Sequence, residues 1–130
     1  MHKRQAVNRN VKIGAELVVI ISNIIRAKVK NPIIADTLIT LKDVEVTKDL
    51  SIAKVYVSIL EDSIRRELFN HKGGPLTAAD VVAELNTCAK YIHHEIANDI
   101  VSKKIPFPVF YHDTTDDVAM KITRLLKKLD

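Results

Sequence analysis

His93-His94-Glu95 is the densest run of side chains in the sequence that could hold a metal or relay a proton. A helix turns roughly 100° per residue, so the two imidazoles diverge. Beyond carboxylates, no second ligand stands at the three- or four-residue spacing that a zinc site on one helix face needs. Cys88, the only cysteine, precedes the pair by about a turn and a half but falls on an apolar stripe, where a thiol is buried and inert. His112-Asp113 precedes an expected helix, and Asp113 is better placed to cap it than to catalyse. Gly73-Gly74 lacks the Gly-Lys-Ser/Thr and the preceding strand of a phosphate loop, and reads as a connecting turn. No Gly-x-Ser-x-Gly, Walker or Rossmann pattern occurs. The expectation is a protein that is not an enzyme, with no metal, no cofactor and no small-molecule substrate.

Charge is the more informative chemistry. The net charge is +4, but residues 1–30 carry seven basic side chains against Glu16, residues 120–130 carry +3, and the middle is mildly acidic. Basic ends around an acidic centre make an oriented surface, for which nucleic acid is the commonest partner and an anionic membrane the second. Arg26, Lys28 and Lys30 have a competing explanation, since cations suit the negative end of a helix dipole. Arg9 and Lys12 sit at the wrong end for that and are the better binding candidates. Tyr56 and Phe110 could stack on bases, although each fits simple packing as well. A single cysteine, no secretory leader and no apolar run of roughly 18 residues point to the cytoplasm.

Stepwise periodicity supplies the elements that would position these groups. At 130 residues the chain reads as a basic arm over 1–10 and one domain over 11–130. Ile13, Leu17, Ile20, Ile21, Ile24 and Ile25 mark an amphipathic helix ended by Asn31-Pro32. Ala53, Val55, Val57 and Ile59 alternate as a half-buried strand, paired with Thr37–Val46 through a turn at Thr47–Leu50. Val44 and Val46 come one residue late after Ile39 and Leu41, which predicts a bulge at Lys42-Asp43. A short helix is expected over Glu61–Asn70, with Ile64, Leu68 and Phe69 on one side. Thr77, with Asp80 three residues on, opens a long helical stretch to about Ser102, expected to break at Asn86-Thr87-Cys88. Ile105–Tyr111 is a strand whose prolines, Pro106 and Pro108, suit a sheet edge. A final helix carries Val118, Ile122, Leu125, Leu126 and Leu129 inward, with Lys121, Arg124, Lys127 and Lys128 around them. The sum is an α/β (α+β) two-layer sandwich with a mixed three-stranded sheet.

From Arg9 to Leu126 this assembly resembles the ribosome-binding factor A family. The resemblance rests on Lys30-Asn31-Pro32, Leu38-Ile39-Thr40, Asp49-Leu50 and Ala53-Lys54-Val55-Tyr56-Val57-Ser58. Leu85-Asn86, Tyr91-Ile92, Ile105-Pro106, and Phe110 with Asp113 complete it. It implies a type II KH-like fold of αββααβ order plus a C-terminal helix. It also implies a cytoplasmic, monomeric factor that binds the free 30S subunit and its 16S rRNA in late, often cold-sensitive, assembly. The family kinks its central helices at an Ala-x-Gly element, which aligns here with Cys88-Ala89-Lys90; neither the first alanine nor the glycine is kept, and Lys90 places a cation at the corner. The candidate RNA-binding residues are Lys3, Arg4, Arg9, Lys12, Lys90, His93, His94, Lys103 and Lys104. The rival expectation is an adaptor that docks another protein without touching RNA.

Overall fold

The computed structural model describes residues 2–100 and 104–113. Its order is α1 (His2–Ala27), α2 (Pro32–Ala35), β1 (Ile39–Val46), β2 (Ile52–Ile59), a 3-10 turn (Glu61–Ser63), α3 (Ala78–Thr87), α4 (Ala89–Asp99) and β3 (Phe107–His112). The expected C-terminal helix lies outside the described residues, as does Lys103.

β2 is the middle strand, antiparallel to β1 and parallel to β3, which gives the mixed sheet. Ala53, Val55 and Val57 are fully buried and Ile59 nearly so, as the period of two requires. The register between β1 and β2 slips between Leu41 and Asp43, so the predicted bulge is present and turns both Leu41 and Val44 inward. β3 is an edge strand. The Phe107 N–H donates to the O of Ser51, just before β2, at 2.9 Å, so the neighbouring prolines direct their missing N–H groups away from the sheet. The open side of β3 is closed by a side chain from α3. Asn86 Oδ1 accepts from the Phe110 N–H at 2.8 Å, and its Nδ2 donates to Phe110 O at 3.0 Å.

One face of the sheet carries the helices. Leu17, Ile21 and Ile24 of α1 are buried with Val81 and Leu85 of α3 and Ile92 and Ile96 of α4. Each such side chain removed from water stabilises the fold by roughly 1.5–3 kcal/mol before ordering costs. α1 lies against β1 so closely that a Cβ on Gly14 would sit 2.5 Å from Val44 O. A side chain there has backbone, not a yielding side chain, in its way.

Three boundaries differ from expectation. α1 starts at His2, so residues 2–10, read above as an arm, have a helical backbone. It ends at Ala27 rather than at Asn31, because the chain turns to bury Val29 and Asn31 is taken as the N-cap of α2, with Oδ1 accepting from the Ile33 N–H at 2.9 Å. No α-helix forms over Glu61–Asn70. Ser63 accepts from the Leu38 N–H at 2.8 Å and donates to Leu60 O at 2.6 Å, holding a single 3-10 turn against the start of β1. Ile64 is buried while Phe69 is exposed, so the expected common side does not exist.

The capping box at Thr77 and Asp80 is complete, and α3 and α4 meet at Cys88. The Cys88 N–H is shared between Glu84 O and Leu85 O, both at 3.1 Å. Asn31 braces the corner, donating to Glu84 Oε1 at 2.7 Å. No helix among the described residues is long and apolar enough to cross a membrane.

Candidate nucleic-acid interface

The cations named from the sequence divide between two places. Lys3, Arg4, Arg9 and Lys12 lie along the start of α1, where Lys12 is exposed and has no ion pair among the described residues. This part of α1 is fixed beside the β1–β2 turn by Asn10, whose Nδ2 donates to Thr47 O at 3.2 Å. Lys48, at the tip of that turn, is exposed, and shares with Asn10, Val11, Ala15 and Val18 a groove of about 610 Å³ between α1 and β1. Sequence reasoning missed Lys48. The only signal for it is its place at the tip of a tight turn, which forces the side chain outward.

Lys104, exposed before β3, acts on the same turn through its charge on Asp49. Asp49 Oδ1 accepts from Ser51 Oγ at 2.7 Å, Thr47 Oγ1 at 2.8 Å and the Ser51 N–H at 3.1 Å. Those bonds, the Ser51 hydroxyl first, hold its pKa down at about 2.

The second place is the outer side of α4. Lys90 and His94 stand one turn apart there, both exposed. His93, its neighbour, is turned elsewhere. Its Nε2 lies 2.9 Å from Ile105 O, and its ring packs at 5.2 Å from that of Phe107. His93 therefore ties α4 to the approach of β3, and the two adjacent histidines do different work. Of the kink residues, Ala89 is buried and Cys88 half-buried, with burial and then the charge of Glu84 pushing the thiol pKa up. A raised thiol pKa leaves little thiolate and argues against a nucleophile.

Just past the end of α1, Lys28 is spent on structure. Lys28 pairs with Glu95 at 2.9 Å, which holds the Glu95 carboxyl below its ordinary range. Of the aromatics, Phe110 is buried, while Tyr56 stacks on Tyr111 at 5.6 Å. No group of three His, Cys, Asp or Glu side chains suited to a metal occurs among the described residues. What this arrangement can do is attract and orient an anionic surface, with cations held on rigid elements.

Comparison with known proteins agrees over nearly the whole chain. The family model described as ribosome-binding factor A matches residues 9–126. A ribosome-binding factor A from Buchnera aphidicola subsp. Schizaphis graminum is 35% identical over 122 residues, covering 94% of this chain and 90% of that protein. Another from Caldanaerobacter subterraneus subsp. tengcongensis is 34% identical over 123 residues, covering 94% and 89%. The crystal structure of ribosome-binding factor A from Thermus thermophilus superposes with a TM-score of 0.60 at 16% identity, over 79% of this chain and 93% of that one. The fold is thus KH-like, with the helix–strand–strand–helix–helix–strand order in place once the four-residue α2 is set aside. The chain belongs to the ribosome-binding factor A family.

Proposed function

We propose that this chain is a non-enzymatic ribosome assembly factor that binds the free 30S subunit and its 16S rRNA and supports late maturation of that particle. Family membership across residues 9–126 is the observation that carries this reading. In it the protein works as a cytoplasmic monomer and is most needed in the cold. The start of α1, with Arg9 and Lys12, grips phosphates at one end, and Lys90 and His94 grip them at the corner of α3 and α4. Folded RNA is read mostly by shape and backbone, which calls for cations in fixed geometry rather than a base code.

Binding to purified free 30S subunits, titrated against salt, tests the proposal. Replacing Arg9 and Lys12 together by Ala should lower affinity without unfolding the domain, and should reduce the slope of log affinity against log salt by roughly 1.4–1.8. A salt-independent affinity would reject phosphate contact and leave the adaptor reading. Failure to co-sediment with free 30S subunits at low ionic strength would reject the function itself.

A further inference from the structure

Among the described residues the most exposed large apolar side chain is Phe69, at 71%. It stands on a small hairpin between β2 and α3, where its backbone pairs antiparallel with Pro75. Asn70 holds the turn. Its Oδ1 accepts from the N–H groups of Lys72 and Gly74, each at 3.0 Å. Its Nδ2 donates to Asp80 Oδ2 at 3.2 Å and to Pro75 O at 3.4 Å. Gly73 takes φ +87, a conformation that suits glycine.

The core does not require this hairpin. At its base the Leu76 N–H donates to Leu68 O at 3.3 Å, so the chain is already brought together there and residues 69–75 are an excursion from it. Ordering an excursion costs conformational entropy, and keeping a phenyl ring in water recovers nothing. Such a mount leaves the ring open to a partner.

The chemistry it shows outward is specific. Its ionisable side chains are His71 and Lys72, both exposed, and the space above Gly73 is open. Of the acids flanking it in sequence, Asp62 is exposed and three are engaged. Asp80 is held by the Thr77 N–H at 2.8 Å and by Asn70, Glu67 pairs with Arg65 at 2.7 Å, and Glu61 pairs with Arg66 at 3.1 Å. A flat ring beside cations complements an unpaired nucleotide, base against ring and phosphate against ammonium.

We propose that the Phe69–Pro75 hairpin is a separate RNA contact, in which Phe69 stacks on an unstacked rRNA base and Lys72 meets a neighbouring phosphate. This rests on the reading of the protein as an rRNA-binding factor, and adds a contact that is independent of α1 and α4.

The test compares the full chain with F69A, F69L and F69W variants for affinity to purified free 30S subunits, with ultraviolet crosslinking of the wild-type complex and mass spectrometry of the adducts. Stacking predicts that F69A and F69L both lose about tenfold in affinity, that F69W retains it, and that a nucleotide adduct maps to Phe69. Thermal melts of the variants should match wild type, since the ring is not in the core. The proposal is overturned if F69A binds as wild type does. It is equally overturned if F69L retains affinity and no adduct forms, which would assign the ring to an apolar pocket on a ribosomal protein. Absence of any wild-type binding would instead sink the function proposed above.

Discussion

At Thr47–Ser51 and again at Asn70–Pro75 the chain reverses around one short polar side chain. Asp49 gathers three donors in the first turn, and Asn70 makes four bonds in the second. Each has a residue with positive φ, Leu50 at 60° and Gly73 at 87°. Their surroundings differ. The first turn joins the two strands that form the core's floor, and α1 is tied to it through Asn10. The second is an excursion between β2 and α3, tied to the cap of α3 through Asn70 and Asp80, and holds a phenyl ring in solvent. Order in the first turn is explained by folding, even to the point of tolerating a leucine in a left-handed conformation that costs roughly 1–2 kcal/mol. Order in the second, held by Asn70 and its bond to Asp80, is what the proposed RNA contact would use.

The largest expected effect is at the packing of α1 on β1, the strand that leads into the first turn. Gly14→Ala puts a methyl group against Val44 O and must push α1 off β1, at a cost of about 2 kcal/mol in denaturant unfolding. Gly74→Ala is the contrast in the second turn. Its Cβ would meet Asn70 at an ordinary 3.7 Å, and its stability should stay within about 0.5 kcal/mol of wild type. Equal losses at the two glycines would erase the distinction between the turns.

Next in size is Asn70→Ala, which should lower stability by about 1 kcal/mol while weakening binding to 30S subunits nearly as much as F69A does. A large loss of stability with unchanged affinity would make the second turn structural after all. The smallest effect is at the Asp49 carboxyl. Its folded pKa of about 2 lies below its unfolded value of about 3.9, so the stability it contributes is complete above the unfolded value. That contribution is lost as pH falls from about 4 through about 2. Asp49→Asn should flatten unfolding free energy against pH within that window relative to wild type, and identical slopes would show that the turn does not depend on the charge.

Much of the fold was legible without coordinates. Alternation in Ala53–Ile59, the late phase of Val44, the Thr77–Asp80 box, the weak helix formers before Cys88 and the prolines of β3 all act over a few neighbouring residues. Strand period, caps and proline dihedrals are local physics, and local physics can be read in order along a chain. The charge pattern marked the start of α1 as a candidate binding surface, and the family resemblance added Lys90.

Only the assembled structure decided what individual side chains do. Lys28 was one cation among several until Glu95, 67 residues away, claimed it. His93 and His94 were equivalent until the path of the chain at Ile105 gave one of them a carbonyl. Asn86 became the clamp of a strand edge, and Phe69 turned to solvent although its apolar character assigned it to a helix face. Local patterns determine elements because their causes are short-range. Which group is left to meet a partner depends on contacts that close only when distant segments pack.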